Sequence, residues 1–176
     1  MDTVDDNMMH ALKDAWQESQ VGCSNVYSLV EVQNMSREAL EMGTINAKVL
    51  WGTNPFPAPT RNDFADDLAR ASETVLRDAR SIMLYGWLTD EERQASVEAL
   101  IGKYGLRWAL RNLIAFRTGD FPRTFADVRA GLEGTPEGDF LLWLDDNPEE
   151  SDEVAQKINE LAIAWFVEIA EFRKNN

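Results

Sequence analysis

Residues 147–172 read NPEESDEVAQKINELAIAWFVEIAEF, and this stretch decides the fold. Asn147 is a good N-cap and Pro148 suits the first helical position. Glu149, Glu150, Asp152 and Glu153 set negative charge at the positive end of the helix dipole, and Arg173 and Lys174 follow at its negative end. Between them Val154, Ile158, Leu161, Trp165, Ile169 and Phe172 recur at steps of three and four, which puts them on one face. From Leu161 to Val167 the run LAIAWFV has no polar residue on any face. A helix apolar all round is expected to be covered all round, by sister helices or by a second subunit. The run is far short of the roughly twenty apolar residues that a bilayer requires. The expectation is a core helix.

Working outward, the neighbouring segments carry helical signals too. Thr124 caps a short helix through Phe125, Val128 and Leu132 that Gly134 closes. Pro136 opens the next, anchored by Phe140, Leu142 and Trp143. Leu106, Leu110, Leu113 and Ile114 are core positions of a helix that resumes after a break at Gly105. Thr89 and Glu92 form a capping box ahead of Val97, Leu100 and Ile101. Asn62 is read as the cap of a helix whose stripe is Phe64, Leu68, Ala71, Val75, Ala79 and Ile82. Asp66 with Arg70, and Glu73 with Arg77, are acid-then-base pairs four apart that mark its solvent side.

Further toward the N-terminus, GTNPFPAPT at 52–60 holds three prolines in five residues, so it is a stiff, extended connector. Helices are expected over 3–20 and from Ser36 to about Trp51. The β-branched run VYSLVEV at 26–32 suits a short strand or a helix, and its helical surroundings favour the helix. The sum is an all-α, single-domain bundle over 1–176, with about seven to nine helices around the hydrophobic C-terminal one.

Composition narrows the function classes. MDTVDDNMMH lacks the basic start and apolar core of a signal peptide, and no stretch has the length of a membrane span, so a cytoplasmic protein with no membrane partner is expected. Cys23, the one cysteine, excludes an intramolecular disulfide and a cysteine-rich zinc site, and reads as an idle thiol. His10 is the sole imidazole, which removes two-histidine chemistry from a single subunit. No Gly-rich phosphate loop and no G-x-S-x-G element occurs, and no cofactor is expected.

Charge is the informative feature. The formal net charge is −14, from 31 acids against 17 bases, which argues against direct nucleic-acid binding. It is also unevenly placed. Residues 103–132 hold six bases (Lys103, Arg107, Arg111, Arg117, Arg123, Arg129) against Asp120 and Asp127, a net of +4. Residues 133–160 hold ten acids against Lys157 alone, a net of −9. The two blocks could neutralise one another. Otherwise a ridge of Asp139, Asp145, Asp146, Glu149, Glu150, Asp152 and Glu153 is left outward. Such a ridge imitates the phosphates of nucleic acid and fits a protein partner with a basic surface. The leading expectation is therefore a non-enzymatic inhibitor or regulator, of the kind that blocks nucleases or phage-defence complexes as a DNA mimic.

Two alternatives come from other features. Glu38 and Glu41, and Asp63 and Asp66, stand three apart and could hold Mg²⁺ between neighbouring helices. This is similar in kind to the paired acidic motifs of all-α nucleoside triphosphate pyrophosphohydrolases, and the likeness implies a Mg²⁺-dependent nucleotide hydrolase. Here the second pair is Asp where Glu is expected first, and the supporting lysines are missing. The other alternative is assembly, as a chaperone, a minor structural component or a homodimer, through the all-apolar turn of the last helix.

Overall fold

The computed structural model describes Asp14, residues 59–147 and residues 151–175. The chain divides into two compact units, Met1–Pro59 and Thr60–Asn176, and nearly all of the described residues belong to the second. Apart from Asp14, which is helical and exposed, the expected helices over 3–20 and 36–51, the 26–32 segment, most of the proline connector, Glu38 and Glu41 lie outside the described residues, as do Glu149 and Glu150. Six helices and no strand occupy the described part of the second unit: α1 (Arg61–Leu84), α2 (Asp90–Ile101), α3 (Leu106–Thr118), α4 (Phe125–Gly131), α5 (Pro136–Asp146) and α6 (Ser151–Lys174). The seven to nine expected for the whole chain are not reached among these residues. None of the described helices is long and apolar enough to cross a membrane.

The helix α1 shows how local pattern sets the core. Phe64, Leu68, Ala71, Val75, Ala79 and Ile82 are all buried, as their spacing requires. Its cap differs from the expectation. Thr60, not Asn62, is the N-cap: its hydroxyl accepts from the Asp63 amide at 3.3 Å, and Asp63 Oδ2 accepts from the Thr60 amide at 2.6 Å. The reciprocal box satisfies two helix-end donors, which a lone Asn62 two residues further in could not do. On the outer face the residues are exposed as expected, yet the partners are others: Arg70 bonds Asp67, Arg77 bonds Asp78 at 3.0 Å, and Asp66 receives Arg173 at 2.6 Å.

The principal neighbours of α1 are α6 and α3. Arg80, late in α1, bonds Asn159 early in α6 at 3.0 Å, while Arg173 at the end of α6 reaches Asp66 near the start of α1. The two 24-residue helices therefore run antiparallel. At the far end Phe116 of α3 meets Phe172 of α6 edge-on at 5.2 Å, with the Arg61 guanidinium over both rings. At the near end Arg93 of α2 donates to the Ile82 carbonyl at 2.8 Å, covering an acceptor that the end of α1 leaves unpaired. The capping boxes at Thr89/Glu92 and Thr124/Asp127 form with both reciprocal bonds. Gly134 adopts a φ of +73°.

One expectation about the last helices is corrected and another is met in part. In α5 the N-cap is Thr135, and that phase turns Glu137, Phe140 and Leu141 inward as one row. Leu142 is 65 % exposed, so Leu141 takes the anchoring place expected of it. Asn147 closes α5, donating its side-chain amide to the Trp143 carbonyl at 2.8 Å, and the described part of α6 begins at Ser151. In α6 Val154, Ala155, Ile158, Ala162, Trp165 and Ile169 are buried. The LAIAWFV turn is not wrapped all round: Ile163 is 42 % and Val167 54 % exposed. Among the described residues, neighbouring helices cover one side of it, so sister helices supply part of the expected cover.

Candidate functional site

The acidic ridge begins on α5. Asp139 and Asp146 stand seven residues apart, two helical turns, so they share a face about 10 Å apart along the axis. Both are exposed and take no ion pair among the described residues. Leu142, three residues on from Asp139, lies between them on the same exposed stripe. Beside it, a groove of about 340 Å³ opens between α4 and α5, lined by Arg129, Glu133, Leu141 and Leu142 among others.

The rest of the ridge is partly matched by the chain's own bases. Asp145 accepts both arms of the Arg129 guanidinium at 2.7 Å, which holds its carboxyl below the usual range and raises Arg129. Asp152, at the start of α6, receives Arg93 at 2.8 Å. Glu153 receives Lys157, four residues on, at 3.4 Å. These carboxylates remain at the surface, where such pairs hold weakly and exchange readily.

The basic block before them goes elsewhere. Arg107 lies over the Phe125 ring at 4.9 Å and Lys103 over Tyr104 at 5.1 Å. Arg111 lies over Phe121 and donates to the carbonyls of Pro122 and Arg123. Arg123 is exposed. Of the six bases, Arg129 alone joins the ridge.

Arg117 is drawn inward instead, and sequence reasoning missed its destination. Its Nη1 and Nη2 donate to the two Glu137 oxygens at 3.2 and 3.1 Å, and Nε and Nη2 reach Glu168 of α6. Burial pushes the guanidinium down, yet Glu168 and Glu137 outweigh it and raise it above its ordinary value. Glu137 is 2 % exposed and also accepts from Trp165 Nε1 at 2.9 Å. Burial raises this carboxyl, but the bonds from Arg117 and Trp165 prevail and hold it below the ordinary value. One signal existed: Glu137 stands on the apolar row of Phe140 and Leu141.

The two described residues of the alternative metal reading, Asp63 and Asp66, have other partners. Asp63 completes the cap of α1 and Asp66 binds Arg173. Among the described residues no group of three or more His, Cys, Asp or Glu is placed to hold a metal ion. Comparison of the chain with protein families, with curated proteins and with solved structures found no match.

Proposed function

We propose that the protein is a binding protein whose acidic α5 face docks on a basic protein surface, as an inhibitor or regulator of a nucleic-acid-binding partner. The observation that carries the reading is the stripe Asp139–Leu142–Asp146, two exposed carboxylates without an ion pair among the described residues and an exposed leucine between them. An Arg or Lys of a partner could lay its stem on Leu141 and Leu142 in the adjoining groove and bring its charge to Glu133. Asp145, Asp152 and Glu153 then form a reserve, since a partner cation can replace a surface one at little cost. Glu149 and Glu150 belong to the same acidic run in sequence.

The test is capture from a host extract on the immobilised full-length chain, with elution by rising salt, beside the double variant Asp139→Lys/Asp146→Lys. A partner held by the wild type at low salt, released at high salt and lost to the variant supports the reading. Equal retention by both proteins, with unchanged helical circular dichroism, overturns it.

A second reading, self-association, draws on Ile163 and Val167, four residues apart on the exposed side of α6. Light scattering across protein concentrations checks it. A dimeric mass that falls to the monomer in Ile163→Glu/Val167→Glu supports it, and a monomeric wild type rejects it.

A further inference from the structure

A second charged surface, of opposite sign, is built at the other end of α4. The chain has 31 acids for 17 bases, so acids are in surplus to pair any base with. Yet Lys103, Arg107 and Arg123 are exposed, and their side chains make no ion pair and donate no hydrogen bond among the described residues. Arg111, half-buried beside them, donates to two carbonyls and to no carboxylate. The acids nearest in sequence are otherwise engaged or outnumbered. Asp145 is held by Arg129; Asp127, bound into the Thr124 capping box, also feels the charge of Arg111, so with Asp120 it sets two negative charges against four positive ones.

The cations are set on rings. Arg107 and Arg129 share Phe125, at 4.9 and 5.4 Å from its centroid, and Arg111 covers Phe121 at 5.4 Å. Phe121 in turn leans on Trp108, 5.7 Å away. Arg107 sits over its ring and donates no hydrogen bond among the described residues, so its N–H donors stay available for a two-pronged bond to a carboxylate, whereas Arg111 already gives Nε and Nη2 to the Pro122 and Arg123 carbonyls and keeps Nη1. Arg107 and Arg111 are one helical turn apart, about 6 Å along the axis. Carboxylates four residues apart on another helix have the same spacing.

We propose that the face formed by the start of α3, the loop over 119–124 and the start of α4 docks an acidic helical segment of a partner protein, through Lys103, Arg107, Arg111 and Arg123. A nucleic-acid strand fits less well. Phe121 and Phe125 already carry guanidinium groups where the bases of a strand would stack. The proposal is independent of the α5 ridge and stands whether or not that ridge binds.

The experiment titrates the full-length protein with a synthetic alanine-based helical peptide carrying Glu at every fourth position, followed by amide chemical shifts. The same peptide with Gln in place of Glu, and oligodeoxythymidylate, serve as comparison probes. Saturable binding of the Glu peptide, with shifts confined to 103–129 and no binding of the Gln peptide, supports the proposal. The variant Arg107→Glu/Arg123→Glu then weakens binding at least about tenfold. If that reversal disturbs folding by circular dichroism, Arg107→Gln/Arg123→Gln gives the same reading at smaller size. Asp139→Lys/Asp146→Lys leaves the affinity unreduced, which separates this face from the ridge. Absence of saturable binding, shifts centred elsewhere, or affinity indifferent to the arginine variants would overturn it. So would tighter binding of the oligonucleotide on the same residues.

Discussion

The indole Nε1 of Trp165 donates to Glu137 Oε1 at 2.9 Å, deep between α5 and α6, and Arg117 of α3 closes the same carboxylate from the other side. Three helices are thus tied by one acid that water does not reach. Removing it leaves an indole donor and a guanidinium facing each other in a cavity. Glu137→Ala is expected to cost about 2–3 kcal/mol, below the figure for a wholly buried pair because Arg117 keeps part of its surface in water. Glu137→Gln retains an acceptor for Trp165 and should cost less. Urea unfolding followed by tryptophan fluorescence measures both.

Acid should act through the same group. The folded-state pKa of Glu137 lies below the ordinary value of 4.5, so its contribution is complete above that value and is lost as pH falls through the lower folded one. Glu92, Asp127 and Asp145 are shifted in the same direction, the first two by their capping bonds and the third by Arg129. The urea midpoint is therefore expected to hold steady near neutrality and to fall below about pH 4.5. In Glu137→Gln the fall should be shallower. A midpoint that rises on acidification would contradict the assignment of these bonds.

Backbone crowding gives a third expectation. A Cβ at Gly105 would stand 2.0 Å from the Leu100 carbonyl oxygen, and one at Gly138 2.1 Å from that of Leu132. Both obstacles are main chain, which cannot swing aside as a side chain does. Gly105→Ala and Gly138→Ala are each expected to destabilise by about 1–3 kcal/mol or more. At Gly86 a Cβ meets nothing within 4 Å, so Gly86→Ala should be close to neutral. Thermal unfolding of the three variants side by side provides the comparison.

What the sequence made legible was local. The α1 stripe from Phe64 to Ile82 and the Thr89/Glu92 box depend on neighbours three and four residues away, and both appear as expected. The inward row of α5 went astray by one residue because Thr135 sets the helix phase, and that moves Leu142 to the surface. Arg117 was legible only as one of six bases. Its partners lie 20 and 51 residues away, at distances that packing alone decides. The acidic ridge was visible as a density of charge, whereas which carboxylates keep a cation depended on long-range pairs such as Arg93 with Asp152, 59 residues apart. The uncovered side of the LAIAWFV turn was hidden for the same reason, since an apolar run does not state how many neighbours it has.

The pair Arg129–Asp145 links the two questions of stability and binding. Both side chains are well exposed, and the two-pronged bond joins α4 to α5 at the boundary between the basic face and the ridge. Arg129→Gln should lower stability by less than about 1 kcal/mol, since water replaces the lost partner. It also releases Asp145 beside Asp146 and removes a positive charge from the groove next to Leu142. If α5 is the docking face, a cationic peptide of Lys and Arg binds the variant more tightly than the wild type, with a steeper loss of affinity as salt rises. Isothermal titration at two salt concentrations reads both effects. Unchanged affinity in a variant of unchanged fold would place the partner's contact away from α5.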